Sequence, residues 1–262
     1  MKKSRLFAAA AFGAAIAVSM ASGAQAVFYY EVRYQGTMSS ATTVTDTSGN
    51  LDDGTVASNN GGSVTSVIDA GTTNPYLHFS GNACAAPPPP ASPSCEQSKI
   101  TPAVSSTLVP NSSGAGTFAF GASVRIHSGV VNPTAGMNVF QYGFFGAGAS
   151  QWKVQVDKLT PSCRWADGTN EVLLKASGYT LPDNTWVKMK CSRLSATSFE
   201  LRVTDPATGT LLTPVVTTTA TMGAIVPTGA ATIGAKSINA AKDDSVTDQF
   251  RGDMDDIFFH RD

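Results

Sequence analysis

Charge is the first thing this sequence lacks. Only 14% of its 262 residues are Asp, Glu, Lys or Arg, and the formal net charge is −1. Such a surface has no field that would gather a polyanion, so neither nucleic acid nor an anionic membrane surface is expected as a partner. Glutamate and leucine are scarce, and no segment carries apolar residues at a 3.6-residue period. Helices are therefore not expected. Thr, Ser, Gly and Val dominate instead, which is the material of strands and turns. Beyond the N-terminus no apolar run is long enough to span a bilayer, so membrane insertion is not expected either.

The N-terminus has its own logic. Lys2, Lys3 and Arg5 precede an apolar stretch from Leu6 to Val18, and Ala24-Gln25-Ala26 offers a small-x-small cleavage site. Together they predict a secretory signal peptide over residues 1–26 and a mature chain starting at Val27. The remaining stretch of about 236 residues suits one sandwich or barrel domain, 27–262. Four cysteines in an exported chain predict two disulfides. Three pairings are possible, and proximity favours Cys84 with Cys95 and Cys163 with Cys191. Loop-closure entropy makes each worth roughly 3 kcal/mol.

Alternation is what the sequence does have. In Gln151–Asp157, Trp152, Val154 and Val156 alternate with Lys153, Gln155 and Asp157. In Thr185–Arg193, Trp186, Lys188 and Lys190 alternate with Val187, Met189 and Cys191. A period of two marks strands with one buried and one solvated face. Trp152 and Trp186 are both read as core. Similar short segments recur at about ten-residue spacing from Tyr29 to Phe259, with Gly, Asn and Asp turn signals between them. Regular short strands of this kind indicate an all-β, antiparallel sandwich or barrel. The run Cys84–Cys95 holds four consecutive prolines and cannot join a ladder. It reads as a surface loop pinned by its own disulfide.

Several strings in order resemble the laminin-G-like, concanavalin A-like jelly-roll domains of secreted bacterial proteins. They are Thr43-Val-Thr-Asp-Thr-Ser-Gly-Asn-Leu-Asp-Asp-Gly-Thr-Val56, Tyr76-Leu-His-Phe-Ser-Gly81 and the strand from Phe118 to His127. Gln151-Trp-Lys-Val-Gln-Val, Cys163-Arg-Trp and Thr185-Trp-Val-Lys-Met-Lys-Cys-Ser-Arg193 follow, and Phe250-Arg-Gly-Asp-Met-Asp-Asp-Ile-Phe-Phe259 resembles the closing strand. The Pro-rich cysteine loop and the paired Phe258 and Phe259 depart from the family pattern. The resemblance implies a two-sheet jelly roll in which Cys163 and Cys191 sit on neighbouring strands and are bonded. It also implies binding of calcium, glycans or both.

Candidate sites follow from that expectation. Asp46-x-Ser48-x-Asn50 spaces three oxygen ligands two residues apart, and Asp53 and Asp255 are further candidates for a calcium site. Leu51 and Ala57 stand where an EF-hand needs Gly and Glu, so that loop type is excluded. The competing reading of Asp46 is an Asx-turn. For glycan stacking and orientation, Trp165 and Tyr142 near turns, with Arg164, are the candidates.

Catalytic patterns are missing. Beyond residue 26 the Glu residues are Glu31, Glu96, Glu171 and Glu200, and none has a carboxylate two positions away. Asp253 and Asp255 have the spacing of a glycosidase pair but belong to a closing strand, where turn or metal roles are favoured. Arg125 with His127, and Gln141 with Tyr142, are the nearest lyase-like groups. No Gly-x-Ser-x-Gly elbow occurs and no cysteine is spare. Arg251-Gly252-Asp253 spells a known integrin-binding tripeptide, but inside a predicted strand it is set aside. The sequence thus predicts a secreted, non-catalytic, lectin-like binding module for glycans or surface ligands, with calcium as the cofactor its oxygen spacing allows. The alternatives are a carbohydrate-active enzyme on the same fold and a structural or adhesion protein that binds another protein.

Overall fold

The computed structural model describes residues 29–84, 95–110, 116–127, 129, 136–239 and 242–261. The segment expected to be a signal peptide and the proline run lie outside the described residues. In chain order the strands are β1 (Val32–Ser40), β2 (Thr43–Asp46), β3 (Gly54–Asn59), β4 (Val64–Ile68), β5 (Pro75–Phe79) and β6 (Gln97–Pro102). Next come β7 (Phe118–Arg125), β8 (Gly136–Gly143), β9 (Ser150–Asp157), β10 (Thr160–Asp167) and β11 (Glu171–Lys175). The last are β12 (Trp186–Ser195), β13 (Ser198–Thr204), β14 (Val216–Thr219), β15 (Thr232–Ile233) and β16 (Gly252–Arg261). One single-turn helix, α1 (Asp244–Thr247), is capped by Asp243, whose side chain accepts from the Ser245 amide.

Every strand pairing is antiparallel, and the strands form one ladder in the order β11-β10-β9-β8-β15-β6-β3-β2-β1-β16-β7-β12-β13-β14. β5 extends the first half of β16, and β4 pairs with β5. The ladder folds over on itself. Trp152 of β9 stacks on Phe259 of β16 at 5.1 Å and lies 4.7 Å from Phe120 of β7. Trp165 of β10 meets Phe199 of β13 at 5.2 Å. The strands β8–β11 thus lie over β16, β7, β12 and β13, with an aromatic and aliphatic core between the layers. This is an antiparallel all-β sandwich of the expected class.

Both disulfides form with the local pairing, Cys84–Cys95 and Cys163–Cys191. One feature implied by the resemblance is corrected. Cys163 on β10 and Cys191 on β12 are not on neighbouring strands: β10 pairs with β9 and β11, and β12 with β7 and β13. Their bond crosses the core and ties the two layers together. Two disulfides fit an oxidising compartment. Among the described residues no helix is long and apolar enough to cross a membrane.

Candidate functional site

Alternation on β9 decides where the groove lies. Trp152, Val154 and Val156 point into the core, so Gln151, Lys153, Gln155 and Asp157 point to the outer face of the β8–β11 layer. With Arg164 of β10, Gly136, Lys236 and Asp248 they line a groove of about 480 Å³. Its rim is aromatic. Phe144 and Phe145, just past the end of β8, are 50% and 56% exposed and also line it. Gly143 makes their placement possible. It adopts φ +79°, and a Cβ there would lie 2.1 Å from the Ser150 carbonyl oxygen, so no other residue fits without a shift of backbone.

The floor is polar and only partly satisfied. The Gly143 carbonyl accepts from the amide nitrogens of both Gln141 (3.1 Å) and Gln151 (3.0 Å). Their amide oxygens are buried and have no hydrogen-bond partner among the described residues. Buried Lys153 donates to Asp248 at 2.6 Å, and Lys236 lies 3.7 Å from the same carboxylate. Desolvation pushes the Lys153 ammonium down, and Asp248 pulls it back. Asp248 itself is the left-handed cap of α1, which brings its side chain over β9. Arg164 lies 4.3 Å above the Phe145 ring and 3.1 Å from Glu171. The arrangement offers ring faces, side-chain amides and held cations. Its carboxylates are engaged, Asp248 by Lys153 and Asp157 by Lys175, so it has no free acid and base pair.

The structure redistributes the candidate residues. Arg164 is in the groove. Trp165 and Tyr142 are not, which corrects the stacking assignment: both are buried and pack on Phe199 and Trp152 respectively. Nearness to a turn misled, because both lie within strands on inward-facing positions. Trp152 is core, with its indole nitrogen donating to Leu108. Trp186 is corrected in the other direction. It is half-buried on the outer face of β12, over Arg125 at 4.8 Å and edge-on to Tyr76 at 5.5 Å. Its shared parity with Lys188 and Lys190 already carried that signal.

The oxygen ligands expected for calcium are not brought together as a cage. The Asp46 carboxylate accepts from the amides of Arg33, Ser48 and Asp52 and from the Ser48 hydroxyl. Asp53 accepts from the Asp46 amide, and Asn50 donates to Tyr30 and Glu31. This is the Asx-turn arrangement. Asp255 lies elsewhere, in a cleft with Asn74 and Trp186, bonded to Asn74 at 2.7 Å. The lyase-like pairs do not converge: Arg125 and His127 contact Asp253, while Gln141 is buried on β8 in the other layer. Arg251 and Asp253 of the integrin-like tripeptide are both buried. Phe144 and Phe145 were missed. Two adjacent aromatics between Gly143 and Gly146 were their signal.

No family model matches the chain, and no curated protein is similar to it. Solved structures share its fold. The binding domain of Paraclostridial Mosquitocidal Protein 1 superposes with a TM-score of 0.53 at 11% identity, over 88% of this chain and 48% of that one. The receptor-binding domain of the botulinum neurotoxin C/D mosaic serotype gives 0.50 at 11%, over 88% and 48%. The binding domain of botulinum neurotoxin serotype G gives 0.51 at 12%, over 88% and 47%. The chain spans about half the length of these chains, and at such identity the likeness is one of fold.

Proposed function

We propose that the protein is a secreted, non-catalytic binding module of the laminin-G-like or concanavalin A-like kind, which takes a glycan or surface ligand in the groove over β9 and β10. One observation carries the reading: the exposed Phe144 and Phe145 stand over a polar floor of Gln151, Lys153, Gln155 and Arg164. Sugars present apolar ring faces and hydroxyl donors, and this pairing answers both. The description of fold neighbours as binding and receptor-binding domains supports a binding role. The engaged carboxylates support the absence of catalysis. Calcium has no necessary part in this reading.

The test is a glycan array followed by calorimetry on any hit, with Phe144→Ala, Phe145→Ala and Arg164→Ala. An aromatic contact contributes about 0.5–1.5 kcal/mol, so each Phe variant should lose roughly 3- to 10-fold in affinity with melting little changed. Retained affinity in all three variants would place the ligand elsewhere. Cleavage of the bound glycan would restore the enzyme reading.

A further inference from the structure

On the opposite layer, three side chains from three strands or strand ends converge on one point. His78 of β5, Asp253 of β16 and His127, just beyond β7, place their donor atoms within 4.8 Å of one another. His78 Nδ1 is 2.7 Å from Asp253 Oδ1, and His127 Nε2 is 2.7 Å from Asp253 Oδ2. Register puts them there: Asp253 pairs with His78 on one side and with Arg125 on the other. Among the described residues this is the group of His, Cys, Asp and Glu placed to hold a metal.

An outer hydrogen bond orients one imidazole. His127 Nδ1 lies 2.9 Å from the Asn184 side-chain oxygen, which leaves Nε2 aimed at Asp253. A metal-binding histidine held by a second-shell acceptor has this form. Asp253 is buried, with a side chain 1% exposed. The charged neighbours are Arg125, bonded to Asp253 at 2.7 Å, and Asp69, which takes the other end of the same guanidinium at 2.7 Å. Asp69 thus offsets the one cation beside the site.

We propose that His78, His127 and Asp253 form a binding site for a divalent transition metal of the zinc class, with an exchangeable position open to solvent. Two imidazoles and one carboxylate suit zinc or its late first-row neighbours rather than calcium or magnesium, which prefer all-oxygen shells. Tetrahedral zinc with bonds of about 2.0–2.1 Å holds its ligand atoms roughly 3.3 Å apart. On that geometry the 2.7 Å contacts to Asp253 lengthen by about 0.6 Å, and donor atoms now as much as 4.8 Å apart close by up to about 1.5 Å. The two histidines have the freedom to do so, with side chains 38% and 32% exposed against 1% for Asp253. Three protein ligands leave a fourth position facing solvent, as in sites that bind an exogenous group. The inference is independent of the groove.

The experiment uses chelator-stripped full chain without an oligohistidine tag, zinc chloride as the probe, and calorimetry with thermal melting. The chain has three histidines, and the third, His260, is buried on the far half of β16, so the background is low. One zinc per chain should bind at micromolar or tighter affinity and raise the melting temperature. His78→Gln and His127→Gln, both half-exposed and expected to keep the fold by circular dichroism, should each weaken zinc at least tenfold. Absence of binding below millimolar zinc overturns the proposal. So does binding that survives either single variant. A melting temperature that answers to acidification but not to zinc means that a proton fills the centre, and also overturns it.

Discussion

Arg251 offers the sharpest test of the fold. The sequence presents it as the first residue of an adhesive tripeptide, whereas the structure makes it a buried cation at the base of the cysteine loop. Its side chain is 1% exposed and donates to Asp244 at 2.9 Å, to the Asn82 carbonyl at 2.6 Å and to the Glu96 carbonyl at 3.2 Å. Asp244 in turn accepts from the Cys84 amide. Burial pushes the guanidinium down and the carboxyl up, and each charge pulls the other back. Arg251→Met removes the cation and leaves a buried carboxylate and two carbonyls short of a donor. Breaking a buried pair from one side costs about 3–5 kcal/mol. A domain of this kind is stable by about 5–15 kcal/mol, so the loss is large. The midpoint of urea unfolding should fall accordingly with an unchanged slope, and melting should drop by roughly 6–20 °C. Arg251→Met with Asp244→Leu should recover most of it, since an apolar pair removes both charges together. A single Arg251 variant within 1 kcal/mol of wild type would refute the buried-pair account.

Four further outcomes are expected. Trp165→Ala, which empties a core position rather than a ligand contact, should cost about 3–5 kcal/mol in denaturant unfolding and leave any glycan affinity of the surviving fold intact. Cys163→Ser with Cys191→Ser removes a bond closing a 28-residue separation across the layers and should cost roughly 3–4 kcal/mol by equilibrium unfolding. Millimolar calcium should leave the melting temperature unchanged, because the Asp46 oxygens are filled by backbone donors; a rise abolished by Asp46→Asn would reverse that reading. Asp167 sets an acid limb. Desolvation raises its carboxyl, but the Asn170, Gly223 and Thr169 donors outweigh this and hold it at about 2. Its folded value is depressed below an unfolded value of about 3.9, so its stabilisation is complete above that pH and is lost as pH falls toward 2. Melting of Asp167→Asn should be flatter than wild type between pH 4 and pH 2.

Fold class was legible because alternation, turn residues and the absence of helical periodicity are local properties. Val32 and Tyr34 on β1, or Val172 and Leu174 on β11, announce their buried face in a few residues. The local cysteine pairing was legible by proximity, although not the layers it joins. The binding candidates fared worse. Trp165 and Tyr142 pose one problem: an aromatic near a turn looks the same whether its strand parity points it to core or to solvent, and parity is fixed only when the partner layer is known.

By itself, then, the sequence determined a disulfide-bonded, all-β chain of low charge, since each of these follows from composition or from neighbours along the chain. Only the tertiary structure decided which outer faces are hollow, that Phe144 and Phe145 overhang a floor of Gln151, Lys153 and Arg164, and that residues 78, 127 and 253 meet. Those sites are made by cross-strand register and by the folding of one ladder over itself. Register brings together residues such as His78 and Asp253, 175 positions apart, and no local pattern encodes it.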